Sequence, residues 1–230
     1  MAETQQLSNA DRARIKRNKK RTPEVSAALH VIKGAIVKVL HTPLTVSTQF
    51  DNKVKGRLTI EYTESEKPTQ AQVDEIQALA NQKILEDVPI VITEMQREEA
   101  EKKYRDNLVN ETFIYDKFPV PESVKVLSVL EIKDWNVNCI TGEYPKSTKA
   151  IKGLKILRLN FKPQKKSLQF CFELGEPSKL GLKVTAPKPK KVFVKPKRQY
   201  VDVNDLASEL TEFVISKMKG EEDPATVKLA

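Results

Sequence analysis

Residues 22–40 read TPEVSAALHVIKGAIVKVL. Thr22 offers a hydroxyl N-cap, Pro23 suits the first helical position, and Glu24 places an acid near the positive end of the helix dipole. Val25, Leu29, Ile32, Ile36 and Val39 then fall on one stripe. That spacing predicts a helix with one face turned toward a core. Gly34 interrupts it and predicts a close packing contact. His30 lies inside the run and is one of only two histidines in 230 residues.

Downstream, PLTVSTQF (43–50) and GRLTIEY (56–62) alternate apolar and polar residues across Asp51-Asn52-Lys53 and predict a strand pair. QAQVDEIQALANQKILED (70–87) returns to helical spacing through Val73, Ile76, Leu79, Ala80, Lys83 and Ile84, with Thr69 as its cap. VPIVITEM (88–95) reads as a strand, and QREEAEKKYRDNL (96–108) as a charged surface helix. VKVLSVLEIKDWNVNC (124–139) reads as one long strand or two. LKILRLNF (154–161) and SLQFCFEL (167–174) are strands joined across KPQKK. Helices grouped with hairpin-connected strands predict an α+β fold, helices on a mostly antiparallel sheet, rather than a doubly wound one. Trp135 is expected in core or rim packing, and Cys171, between Phe170 and Phe172, as a buried strand thiol.

The net charge of +9 sits in the flanks. Residues 1–22 hold seven basic side chains against two acidic ones, and residues 176–200 hold eight against one. Residues 201–230 hold three against seven, which leaves the middle nearly neutral. This predicts a mobile basic arm over 1–21, a globular domain over 22–175 and a solvated Pro/Lys linker over 176–200. A helix over 201–220 follows, with Val203, Leu206, Leu210, Phe213, Val214 and Met218 on one stripe, and then a flexible tail over 221–230. The candidate polyanion contacts are Arg12, Arg14, Lys16, Arg17, Lys19, Lys20 and Arg21 in the arm. In the linker they are Lys188, Lys190, Lys191, Lys195, Lys197 and Arg198. Aromatic residues are sparse in both flanks, so recognition should be electrostatic rather than by base stacking.

No stretch approaches 18 apolar residues, so no membrane association is expected. The first twenty residues lack the features of a secretory signal or a mitochondrial presequence. Two cysteines in that setting read as free thiols in a reducing compartment, the cytoplasm, with KRNKKR also suited to nuclear import. No Gly-rich phosphate loop and no nucleophile triad is legible.

Several segments, in order, resemble the alanyl-tRNA editing (AlaX-like) family, related to the editing domains of alanyl- and threonyl-tRNA synthetases. They are Ser26-Ala27-Ala28-Leu29-His30-Val31-Ile32; Asp74 to Ile84; Pro89-Ile90-Val91; Gln96-Arg97-Glu98-Glu99-Ala100; and Cys139-Ile140-Thr141-Gly142-Glu143-Tyr144 followed by Thr148 and Ile151. The resemblance spans roughly residues 22–175. It implies a zinc site made by His-x-x-x-His on the helix and Cys-x-x-x-His at a strand end. Residues four apart share a helical face, which lets two imidazoles grip one ion. Here His30 and Cys139 match, and Ser26 and Glu143 stand at the other two positions, or Tyr144 in place of Glu143 if the one-residue insertion lies earlier. Three histidines are required and the chain has two, the second being His41, off the His30 face, so the family's standard site cannot form.

The expectation is therefore a degenerate editing-like domain without a cofactor. It would bind tRNA or another RNA and join a larger complex through the C-terminal helix. The alternatives are an active aminoacyl-tRNA deacylase holding zinc on His30, Cys139 and Glu143, and a structural subunit that binds no RNA.

Overall fold

The computed structural model describes residues 21–182. The other basic-arm residues, the Lys188–Arg198 cluster and the segment 201–220 expected to form a C-terminal helix lie outside the described residues.

Helix α1 (Pro23–Leu40) starts at Thr22, whose hydroxyl accepts from Val25 N–H, and ends at His41 in the left-handed conformation. Strands β1 (Thr45–Phe50) and β2 (Lys55–Glu61) form the expected antiparallel pair. Helix α2 (Gln70–Leu85) opens with a capping box in which Thr69 and Gln72 each satisfy the other's backbone N–H. Strand β3 (Ile90–Gln96) runs directly into helix α3 (Arg97–Asp106). The segment 124–139 resolves into β4 (Val126–Ile132) and β5 (Asn136–Cys139), turning at Asp134 with φ 55°. A 3-10 turn (Thr148–Ile151) leads to β6 (Leu154–Lys162) and β7 (Ser167–Leu174).

The strands make two antiparallel sheets, ordered β1-β2-β7-β6 and β3-β4-β5. This is the predicted α+β class. One apolar cluster gathers α1, α2, the inner face of the larger sheet and Leu130 and Ile132 of β4. A second lies beneath α3 and joins Ala100, Tyr104, Ile114, Leu127, Val129 and Val137.

Helix α1 departs from its single-stripe reading. Every residue from Val25 to Val37 except His30 is buried, Ser26 and Lys33 included. A helix surrounded by α2, β5 and the larger sheet has no solvent face, so its polar residues must find partners inside. Gly34 is the close contact its position predicts: a Cβ there would lie 2.3 Å from Trp135 Nε1. The indole N–H itself donates to Val31 O at 2.9 Å.

Candidate functional site

Helix α1, β5 and the turn after it enclose a cleft of about 190 Å³. Ser26 and His30, one helical turn apart, line it together with Cys139 from the end of β5 and Tyr144 from the turn. Three of the residues singled out in the sequence, His30, Cys139 and Arg21, thus meet there. Glu143 does not: it is exposed on the outside of the turn. Gly142, at φ +92°, reverses the chain so that Tyr144, the alternative position, takes the inward place.

Arg21, read from the sequence as the last residue of the basic arm, lies in the cleft. Its Nε donates to Ser26 Oγ at 2.9 Å, and its Nη2 donates to Thr141 O and, at 3.1 Å, to Tyr144 Oη. The guanidinium carbon sits 5.5 Å from the Phe50 ring centre and 5.7 Å from that of Tyr144, within cation–π range. A Cβ on residue 142 would come within 3.1 Å of the guanidinium, so the glycine lets the turn close over it.

A buried polar chain underlies the cleft. Lys33, 2% exposed, donates to Asp116 Oδ1 at 2.5 Å and to Asn138 Oδ1 at 2.7 Å. Asn138 Nδ2 donates to Asp116 Oδ2 at 3.0 Å. Burial pulls the Lys33 ammonium below its usual range, and Asp116 opposes that pull. These contacts fix the Asn138 amide, whose Oδ1 faces Asn136 Nδ2 at 3.4 Å. Asn136 Nδ2 therefore also points at His30 Nδ1, 3.1 Å away, and makes that nitrogen an acceptor. The His30 proton is thereby left on Nε2, which faces Tyr144 Oη at 3.4 Å. Burial, and next the nearby Lys33 charge, hold His30 at about 3, with Asp116 pulling it up and Arg21 adding to the depression. Burial pushes the Cys139 thiol up to about 11 and raises the Tyr144 phenol.

At neutral pH the cleft thus presents a neutral imidazole, a thiol, a phenol and a serine hydroxyl. Ser26 Oγ is already engaged, donating to Thr22 O at 2.9 Å while accepting from Arg21. Zinc binds deprotonated thiolates, free imidazole nitrogens and carboxylates. Three protonated donors, an imidazole with both nitrogens engaged and an adjacent guanidinium are a poor fit to that ion. Among the described residues, no three His, Cys, Asp or Glu side chains converge as metal ligands would.

Sequence reasoning did not find the Lys33–Asp116–Asn138 chain. The signal was present: Lys33 is a lone lysine between Ile32 and the GAIV run. His41 pairs with Glu111 at 2.9 Å on the surface and has no part in the cleft.

No protein-family model matches the chain. It is 31% identical over 131 residues to the alanine–tRNA ligase of Methanococcus maripaludis strain C6, an alignment covering 57% of this chain and 14% of that protein. For Methanococcus aeolicus the figures are 32% over 133 residues, covering 57% and 13%. For Saccharolobus islandicus strain M.14.25 they are 34% over 130 residues, covering 56% and 13%. The chain is related to a segment of these ligases and spans about one seventh of their length. Among the described residues, no helix is long and apolar enough to cross a membrane.

Proposed function

We propose that this chain is an editing-domain-like, AlaX-like relative of alanine–tRNA ligases that keeps the fold without a resident zinc. In this reading it binds tRNA or another RNA and acts as a binding or assembly subunit in aminoacylation or translation. One observation carries the proposal. The two zinc-ligand positions that lack histidine are filled by Ser26 and Tyr144, and both hydrogen-bond to the guanidinium of Arg21. The similarity to alanine–tRNA ligases supports the tRNA connection. Residues 22–175 form the editing-like domain, the basic residues of 1–20 and 176–200 contact phosphates, and 201–220 docks on a protein partner in the cytoplasm.

Deacylation requires a base or a metal-activated water at the ester. With Nδ1 accepting from Asn136 and Nε2 carrying the proton, His30 has no free lone pair for that task. The deacylase alternative thus has less support than binding.

The test is tRNA affinity measured across a salt series, with zinc content and hydrolysis of seryl-tRNA on an alanine acceptor measured on the same preparation. Binding is expected with a steep salt slope. Removing residues 1–20 should flatten that slope by roughly 0.9 for each phosphate that the arm neutralises. Stoichiometric zinc, or hydrolysis abolished by His30→Ala, would replace this reading with the deacylase.

A further inference from the structure

The cleft carries a charge that nothing around it neutralises among the described residues. Lys33 and Asp116 cancel one another in the floor. Arg21 is held by Ser26 Oγ, Thr141 O and Tyr144 Oη, all of them neutral. Among the described residues no carboxylate lies within ion-pair distance of it. The rest of the lining holds no further lysine, arginine or carboxylate. The net balance of the cleft lining is one positive charge.

Donors are also left over. Among the described residues Arg21 Nη1 has no acceptor, while Nε and Nη2 are used. Tyr144 Oη receives Arg21 Nη2–H and faces the His30 Nε2 proton, so its own O–H is free to turn into the cleft. A partly buried guanidinium whose partners are all neutral favours an anion in the space beside it, since a charge-assisted pair is worth more than a neutral hydrogen bond. The socket of Phe50, Tyr144 and the Gly142 turn holds the guanidinium in place before any ligand arrives.

We propose that this cleft is a binding site for a small monoanionic oxyanion, a carboxylate or a phosphodiester group, gripped by Arg21 Nη1 and the Tyr144 hydroxyl. Arg21 is then the resident cation of the site and takes the place where a divalent metal would be expected. A dianion is disfavoured, because only one positive charge is uncompensated and Asp116 borders the cleft. The proposal deepens the binding reading above by giving the domain a ligand of its own. It stands apart from the RNA contacts of the flanks, so either can fail without the other.

The test is an NMR titration of the full chain with sodium acetate and, separately, with sodium dimethyl phosphate, each against sodium chloride at constant ionic strength. Saturable shifts are expected at the amides of Thr141, Gly142 and Tyr144 and at Arg21 Nε–H. Saturation by acetate identifies a free carboxylate ligand, and saturation by dimethyl phosphate a nucleic-acid backbone. Arg21→Gln should abolish the shifts. Tyr144→Phe keeps the ring against Arg21 and should weaken binding roughly 10- to 150-fold, the worth of a hydrogen bond to a charged group. Lys152→Gln, on the surface and outside the cleft, should change nothing. Equal shifts with chloride, shifts that survive Arg21→Gln, or no saturation with either oxyanion would overturn the proposal.

Discussion

The indole of Trp135 lies against the backbone of Gly34, its Nε1 donating to Val31 O one turn earlier on α1. Replacing Gly34 with alanine drives a methyl into the ring, which is itself only 4% exposed and tied to α1 by its bond to Val31 O, so it has little room to move aside. Gly34→Ala should cost about 1–3 kcal/mol, typical of overpacking, despite alanine's better helix propensity. Urea unfolding measures it, and a loss below about 0.5 kcal/mol would mean that Trp135 moves aside freely.

Lys33 and Asp116 make a different kind of contact. Removing one partner strands the other charge, and for a fully buried pair that costs about 3–5 kcal/mol. Asp116 keeps 30% of its side chain exposed, so water offsets part of the loss. Lys33→Met is therefore expected to cost about 2–3 kcal/mol, below the fully buried range. The double variant Lys33→Met with Asp116→Asn should recover part of it. Additive losses in that cycle would remove the pair as the cause.

The His30 ring gives a pH dependence of definite sign. Its ordinary value is 6.5 and the fold holds it at about 3. Between those values the unfolded chain takes up a proton that the native state refuses, so this contribution to stability is complete above 6.5 and lost as pH falls toward 3. The slope approaches about 1.4 kcal/mol per pH unit for one such site. Unfolding free energies of wild type and His30→Gln should diverge between pH 4 and 6.5 and run parallel above 7. Parallel curves throughout would contradict the proposed tautomer and its burial.

Cys139 should be sluggish toward alkylating reagents. Burial raises its thiol from 9.0 to about 11, which lowers the thiolate fraction near pH 8 about 100-fold. Iodoacetamide labelling followed by mass spectrometry should show Cys139 modified far more slowly than a free thiol, with the rate climbing through pH 10. Rapid labelling at pH 7 would show that the thiol is ionised.

The local elements were legible because their signals are local. Thr22-Pro23-Glu24, Thr69 with Gln72 and the alternating hairpins each carry their own geometry. The α1 stripe, in contrast, gave no sign that the helix would be enclosed on every side, because that depends on two sheets and α2 arriving from elsewhere in the chain. The cleft was half legible. His30 and Cys139 were picked out together by the resemblance to the editing family. The choice of Tyr144 over Glu143 rests on the positive φ of Gly142, which shifts the inward position by one residue. Asp116, 83 residues from Lys33, sits in an irregular loop without periodicity, so nothing in its surroundings announced a partner.

Because α1 is sheathed by both sheets and α2, its amides have no local route to solvent. Native-state hydrogen exchange along Val25–Val37 should then proceed only through opening of the whole domain, while the Asp51–Val54 turn and the exposed Val91–Ile92 edge of β3 exchange early. The helix that supplies Ser26, His30 and Lys33 to the cleft is the last part of the domain to let go.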